Sequence, residues 1–302
     1  TYRLLKEYDK ALTDFGKAIE LNPQDAWAYG QRGETYRLLK EYDKALVDFN
    51  KLIELNPQDA WAYALRGKTY RLLKEYDKAL VEFNKAIELD PQYAWAYAQR
   101  GITYGEQKEY DKALADFNKA IELDPQYAWA YGNRGRTYLW LNDLDSSKSA
   151  YMKALEIEPK SVWYGLILEW ITWIEAKPGK EIVERLRAIA AYDPSDHNAA
   201  ICEGIASWVS GLTENGLVEI ERAISMKPDD FDTCFWKGVI LATMNGREAE
   251  AMAAIALALE NDLPPILIGP LRWTKEDAPH FYENHALPLL EKYGLLDKVQ
   301  TQ

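Results

Sequence analysis

A 34-residue period in the first half of the chain constrains its fold more than any other feature. Glycine recurs at this spacing at Gly33, Gly67, Gly101 and Gly135, and proline does so at Pro23, Pro57, Pro91, Pro125 and Pro159. A fixed period of this length is typical of arrays in which one supersecondary unit is repeated and packs on its neighbours. The period therefore predicts burial between neighbouring repeats in place of one central core.

Each repeat is predicted to contain two helices. In the copy at residues 94–127, small and aromatic residues recur at helical spacing in AWAYAQRGITY. A break follows at KEYD, and a second amphipathic run, KALADFNKAIEL, ends at an Asp-Pro pair. Apolar residues at this spacing indicate amphipathic helices, and proline marks the point beyond which the second one cannot continue.

This repeat resembles the tetratricopeptide repeat (TPR). Counted from the first Ala of AWAY, the residues usual in that family at positions 8, 11, 20, 24, 27 and 32 are Gly101, Tyr104, Ala113, Phe117, Ala120 and Pro125. The resemblance implies an all-α, right-handed α-solenoid of antiparallel helix pairs. It also implies strain at Lys40, Lys74 and Lys108, which stand where the family usually has a glycine with positive φ.

Three regions are expected along the chain. Residues 1–161 form the regular array, 162–262 carry degenerate repeats, and 263–302 form a terminal segment with a capping helix from about Pro279 to Tyr293. The sequence opens at position 10 of a repeat, so we expect a fragment of a longer protein. Its uncapped N-terminal end would either continue upstream or stack on another molecule, which includes self-association.

Composition argues against several classes of partner. The formal net charge is −12, and most of the acidic excess lies in residues 151–302, which disfavours binding to nucleic acid. Apolar runs are short, and no signal peptide is visible, so a cytoplasmic protein without a membrane partner is expected.

Cys202 and Cys234 are expected to be packed thiols, since two cysteines make no disulfide framework.

A charged pair recurs with the repeat. Position 7, usually Leu in the family, is Arg32, Arg66, Arg100 and Arg134, and position 23 is Asp14, Asp48, Glu82 and Asp116, then Ala150. Pairing within one repeat would set Arg134 against Ala150. If each Arg pairs with the acid of the preceding repeat, every Arg has an acidic partner. Ion pairs between repeats, such as Glu82–Arg100, are therefore predicted.

The resemblance also implies that first helices line a concave groove, with positions 2, 5, 6, 9, 12 and 13 facing it. Position 2 is Trp in five repeats, at Trp27, Trp61, Trp95, Trp129 and Trp163. These indoles would either grip a peptide or pack against the neighbouring helix. A second aromatic group consists of Trp163, Trp170 and Trp173 on one helical face, with Trp140 close by, and would form either a binding hot spot or packing at a kink.

The polar candidates for ligand binding differ from repeat to repeat, whereas the residues expected to pack the helices are nearly the same in each repeat. They are Gln31, Gln99 and Asn133 at position 6, Lys68 and Arg136 at position 9, and Arg37 and Arg71 at position 12. Such variation fits a recognition surface, although drift on a solvated face produces it too. The Lys and Arg pattern with which some TPR proteins hold a peptide's C-terminal carboxylate is absent.

No catalytic motif is found, and neither a cofactor nor a metal is expected. Glycine-rich phosphate loops, GxSxG, HExxH and CxxC are all missing. His280 and His285 are five residues apart, which on an α-helix turns them away from each other and disfavours a shared metal.

The sequence thus predicts a non-catalytic TPR scaffold that binds a protein or peptide in its groove, within a bacterial cytoplasmic protein. The alternative is a sensor or oligomerisation arm of a larger, NTPase-linked bacterial signalling or defence protein whose effector domain lies upstream. The loose similarity of the C-terminal tail to the ends of TPR arrays in bacterial receptors motivates this alternative.

Overall fold

The computed structural model describes residues 7–175, 181–261 and 263–295, and all regular secondary structure within these ranges is helical. The chain divides into two compact units, Thr1–Ala130 and Tyr131–Gln302. The first contains α1 (Tyr8–Leu21), α2 (Ala26–Leu38), α3 (Tyr42–Leu55), α4 (Ala60–Leu72), α5 (Tyr76–Leu89), α6 (Ala94–Glu106) and α7 (Tyr110–Leu123). The unit boundary falls inside α8 (Ala128–Trp140). The all-α fold of tandem helix pairs is confirmed; the three sequence regions, based on repeat regularity, stay a prediction.

The second unit continues the helix pairs and then departs from them. It contains α9 (Leu144–Ile157), α10 (Val162–Glu175), α11 (Glu181–Ala190), α12 (His197–Val209), α13 (Thr213–Met226), α14 (Phe231–Ala242) and α15 (Glu248–Glu260). A 3₁₀-helix, Pro265–Trp273, follows, and then α16 (Thr274–Asp277), α17 (Pro279–Phe281) and α18 (Leu287–Lys292). None of the helices in the described ranges is long and apolar enough to cross a membrane.

The ends of the helices follow from single residues of the repeat. Asp25 accepts a hydrogen bond from the Ala28 amide at the start of α2, and Asp59 accepts one from Trp61 at the start of α4. After α2, α4 and α6 the chain turns through Lys40, Lys74 and Lys108, with φ values of 61°, 60° and 63°. The positive φ predicted at these three lysines is confirmed. Each lysine therefore carries left-handed strain that a glycine would avoid.

The glycine at position 8 sets the distance between the two helices of a repeat. A Cβ at Gly33 would lie 2.6 Å from Cε1 of Phe49, whose side chain is fully buried. Phe49 packs with Ala45 and Leu52 of α3 in the core that this repeat shares with the next. The glycine is therefore required for close packing of the first helix on the second.

We expect Gly33→Ala to lower the free energy of unfolding of the first unit by about 1–2 kcal/mol, because the buried Phe49 ring must shift. Gly105→Ala should raise it by about 0.5–1 kcal/mol, since a Cβ there meets nothing within 4 Å and alanine favours the helix. Urea denaturation of the full chain checks both values, and equal effects from the two substitutions would contradict the packing argument.

The recurrent arginine pairs within its own repeat, so the predicted pairing between repeats is wrong. Arg32 donates from Nε and Nη2 to Asp48 at 2.8 and 2.7 Å, and Arg100 makes the same two bonds to Asp116 at 2.7 Å. Arg66 Nη2 contacts both oxygens of Glu82 at 2.8 Å. Each acid lies one position before the Phe that packs on the repeat's own glycine, so the same helix contact brings both pairs together.

The link between repeats is present, but an asparagine makes it. Arg66 Nη1 donates to Asn50 Oδ1 at 2.8 Å, and Arg100 Nη1 donates to Asn84 Oδ1 at 2.6 Å, in each case from the preceding repeat. One guanidinium thus holds an acid in its own repeat and an amide in the one before. We expected only carboxylate partners for this arginine, whereas Arg134 lies over the Tyr131 ring, 5.2 Å from its centroid. The lack of an acid at Ala150 therefore does not exclude pairing within one repeat elsewhere in the array.

The second unit encloses an aromatic core that the repeat pattern does not require. Trp170 and Trp173 of α10 are 1% and 2% exposed and contact Trp236 of α14, with ring centroids 5.2 and 5.7 Å from it. Trp273, at the end of the 3₁₀-helix, lies 5.9 Å from Trp173. Cys202 and Cys234 are buried free thiols in the same unit, as predicted.

The predicted C-terminal helix is present but is not a regular α-helix. Residues Tyr282–Ala286 form a π-helix between α17 and α18. A π-helix bonds residue i to i+5, so side chains five apart point the same way. His280 Nδ1 lies 2.9 Å and His285 Nε2 lies 3.8 Å from the Glu248 carboxylate, so the expectation that these histidines diverge is wrong. In the described ranges no group of three or more His, Cys, Asp or Glu side chains is arranged to hold a metal.

Candidate functional site

The first helices α2, α4 and α6 form one surface of the first unit, which we call the first-helix face. The helices pack side by side, α2 on α4 and α4 on α6. The predicted site residues on these three helices are Trp27, Gln31, Arg37, Trp61, Lys68, Arg71, Trp95 and Gln99. Trp129 lies at the start of α8, in the same unit.

The indoles at position 2 fill the space between repeats and keep part of each ring in solvent. Trp27 is the most exposed at 59%, whereas Trp61, Trp95 and Trp129 are half-buried, each against the core of the preceding repeat. Trp95 also stacks on Tyr93, with ring centroids 5.8 Å apart. Their burial agrees with a structural use, and their exposed edges leave area for a ligand.

Two arginines on the first-helix face are held by carboxylates that the sequence interpretation missed. Arg37 donates from Nε and Nη2 to the two oxygens of Glu34, both at 2.9 Å. Arg71 Nη1 lies 2.5 Å from Oε1 of Glu106, which belongs to the next repeat. Glu34 stands three residues before Arg37, and this helical spacing could have revealed the first pair. Nothing in the local spacing points to the second pair.

Lys68 lies near both of these arginines and is part-buried. Its Nζ is 5.5 Å from the centroid of the Trp95 ring, within the range of a cation–π contact. Burial, followed by repulsion from Arg37 and Arg71, lowers the pKa of Lys68 to about 8, and the attraction of Glu34 only partly opposes this.

The amide side chains at position 6 differ in exposure. Gln31 is part-buried, whereas Gln99 is 2% exposed and its Oε1 atom is buried without a hydrogen-bond partner. Asn133, in the second unit, is part-buried. Gln99 therefore belongs to the packed layer below the surface.

In the second unit, the chain itself covers two of the predicted site residues. Trp170 Nε1 donates to the carbonyl oxygen of Leu267 at 2.9 Å, and Arg272 Nη1 donates to the carbonyl oxygen of Ile174 at 2.6 Å. We call Pro265–Trp273 the covering segment because it closes over α10 through these contacts. Trp170 and Trp173, predicted as groove residues, are thus enclosed, which agrees with the packing alternative.

The remaining candidates of the second unit also contact its own side chains. Trp163 meets the Tyr151 ring edge-on, with centroids 5.6 Å apart, and Trp140 is part-buried. Arg136 Nη1 lies 3.4 Å from Asp232 of α14, an acid that the sequence interpretation did not single out. Burial raises the pKa of Asp232, and the Arg136 guanidinium opposes that rise.

Comparison with known families and structures agrees with the helix pairs. Models described as tetratricopeptide repeat match residues 26–59 and 94–127, 49–81, and 130–161, and a TPR repeat model matches 1–39 and 67–108. Together these matches span residues 1–127 and 130–161, more than half of the chain. No curated protein matches it.

Several solved structures share the fold. TTC0263, a thermophilic TPR protein of Thermus thermophilus, is 27% identical over 57% of this chain and 93% of its own, with a TM-score of 0.51. The pilF structure of Pseudomonas aeruginosa is 20% identical over 70% of this chain and 97% of its own, with a TM-score of 0.55. PilW, a type IV pilus biogenesis factor, is 17% identical over 75% of this chain and 89% of its own, with a TM-score of 0.51. The last two show a likeness of fold alone. With its repeats matched and its helix pairs in place, the chain belongs to the tetratricopeptide repeat family.

Proposed function

We propose that this protein is a non-catalytic scaffold that binds a segment of a partner protein along the first-helix face of the first unit. The observation that carries the proposal is a contrast between the two units. In the second, the covering segment contacts Trp170 and Trp173 at positions 9 and 12 of α10. In the first, the side chains at these positions include charged groups that are part-exposed.

The residues at positions 9 and 12 support recognition because they change while the scaffold around them is copied. In α2, α4 and α6, position 9 is Glu34, Lys68 and Ile102, and position 12 is Arg37, Arg71 and Gly105. The glycine, alanine and phenylalanine residues that pack the helices are retained. A peptide that lies across these helices would contact different chemistry at each repeat, and the indole edges would supply contact area.

A steric block tests the proposal without disturbing the core. Gly105 lies at position 12 of α6 and has open space beside it, so Gly105→Arg adds a bulky side chain to the first-helix face. We expect at least tenfold weaker binding to peptides selected by the 302-residue chain from a random display library, because the peptide must go around the arginine. Fluorescence anisotropy with the labelled peptides measures the affinity.

Ala115→Arg is the matched control. Ala115 is exposed on the second helix α7 and receives the same added charge and bulk. Affinity lost in both variants, or in neither, would contradict binding on the first-helix face. Circular dichroism of both variants confirms that the helices are intact.

Self-association and the signalling-arm alternative stay predictions from the sequence, as do the bacterial origin and the cytoplasmic location. Sedimentation velocity of the chain over a wide concentration range tests the first of these. A single monomeric species at all concentrations would contradict self-association through the N-terminal end.

A further inference from the structure

Lys68 differs in its surroundings from the paired lysines of the first unit. Lys51, Lys85 and Lys119 of the second helices each contact a glutamate three residues later, with N–O distances of 2.7, 2.7 and 2.9 Å. Within the described part of the chain, the Lys68 ammonium makes no hydrogen bond or ion pair, and its contact is the face of Trp95. Its side chain is part-buried.

The groups around Lys68 leave an excess of positive charge. Arg37 and Arg71 flank it, and each already holds one carboxylate, Glu34 and Glu106 respectively. Three cations therefore face two acids, and Lys68 is the cation without an acid of its own. Arg71 Nε is in addition buried with no hydrogen-bond partner, so the cluster has more donors than acceptors.

A partly buried ammonium without an oxygen acceptor is unfavourable, because a cation–π contact replaces only part of the hydration that it has lost. The depressed pKa of Lys68, about 8, reflects this cost. A carboxylate that reaches Nζ would remove the cost and would gain a charge-assisted hydrogen bond. The part of Trp95 that Lys68 and Tyr93 leave exposed offers an apolar surface for the methylene groups of the same ligand residue.

We propose that Lys68 is the anchor for an acidic side chain, Asp or Glu, of the bound partner segment, and that Trp95 packs against the stem of that side chain. This inference rests on the proposed function and names its ligand chemistry. It places the acidic residue over α4, between the two arginine–glutamate pairs.

The anchor makes binding dependent on pH. A bound carboxylate raises the pKa of Lys68, so above pH 8 the free protein must take up a proton to bind and its affinity falls. The other charged groups facing this point are Arg37, Glu34, Arg71 and Glu106. Tyr93, stacked on Trp95, stays neutral in this range because burial raises its pKa to about 12.

The probe is a random dodecapeptide display library with acetylated N-termini and amidated C-termini, so that every carboxylate comes from a side chain. Selection on the 302-residue chain should enrich one Asp or Glu position. Replacing that residue of the peptide by Gln or Asn should weaken its binding to the wild-type chain about tenfold or more. The same replacement should not change the affinity of the peptide for the Lys68→Met variant. Lys68→Met alone should weaken binding by the same factor, and Lys85→Met, which makes the same charge change on α5, should not.

Lys68→Arg separates charge from side-chain identity. We expect it to retain binding and to abolish the decline of affinity between pH 7 and 9.5, because arginine remains protonated throughout. Peptides that Gly105→Arg blocks, but whose affinity is unchanged by Glu→Gln and by Lys68→Met, would overturn the anchor and leave the proposed function standing. If selection yields no peptide that wild type binds, the proposed function fails and the anchor fails with it.

Discussion

Trp170→Ala is expected to lower the free energy of unfolding of the second unit by about 3–5 kcal/mol, one of the two largest effects that the structure predicts. The side chain is 1% exposed and stacks on Phe235, with ring centroids 5.3 Å apart and planes at 15°. Its truncation opens a cavity between α10 and α14, and it removes the hydrogen bond that joins α10 to Leu267 of the covering segment.

The loss should be local, so it is best measured residue by residue. Repeat arrays often unfold in parts, and hydrogen exchange followed by mass spectrometry reports the opening free energy of each segment. We expect protection to fall in α10, α14 and the covering segment, and to be unchanged in α3 and α5 of the first unit. Trp170→Phe should show a smaller loss, because it keeps the ring on Phe235 and loses the N–H donor.

Trp27→Ala is the matched control, since Trp27 is 59% exposed and meets Phe15 edge-on at 5.9 Å. Its truncation should cost under about 1 kcal/mol, because little buried area is lost. A loss of similar size for Trp170→Ala would contradict the closed aromatic core and would return α10 to the set of ligand-binding helices.

The local part of the fold could be predicted because the same sequence features recur in successive repeats. Aspartates that cap helices, lysines in left-handed turns and glycines under phenylalanine rings all depend on neighbours within one repeat. The covering segment could not be predicted in this way. Its contacts with α10 join residues 97 and 98 positions apart, and they occur once, so no period records them. The π-helix at Tyr282–Ala286 also occurs once, and the sequence pattern there is that of an ordinary α-helix, so the sequence did not predict it.

The positions of the candidate site residues in the repeat could be predicted from the sequence, but the groups that surround them could not. Position 9 indicates Lys68, but its excess of positive charge depends on Glu34 and Glu106, whose side chains meet Arg37 and Arg71. The same position in α10 is Trp170, which the chain covers with its own backbone. Position within a repeat therefore specifies which face a side chain belongs to, whereas contacts specify whether a partner can reach it.

Asp116→Ala is expected to lower the free energy of unfolding of the first unit by about 2–3 kcal/mol. Asp116 is 5% exposed and holds the Arg100 guanidinium through two hydrogen bonds of 2.7 Å. Its removal leaves a part-buried positive charge whose remaining hydrogen bond is to the Asn84 amide. Exposed pairs such as Lys119–Glu122 should cost under about 0.5 kcal/mol when broken by Glu122→Ala, which serves as the control.

A double-mutant cycle decides whether the arginine pairs with the acid of its own repeat or with that of the preceding repeat. The structure predicts a coupling energy of about 1–2 kcal/mol between Arg100 and Asp116, and one near zero between Arg100 and Glu82, which instead contacts Arg66. Urea denaturation of the single and double alanine variants supplies both values. A larger coupling for Arg100 with Glu82 would restore the register that the sequence favoured. A larger coupling for Arg100 with Asp116 would establish that each ion pair fastens the two helices of one repeat, while Asn84 carries the contact from one repeat to the next.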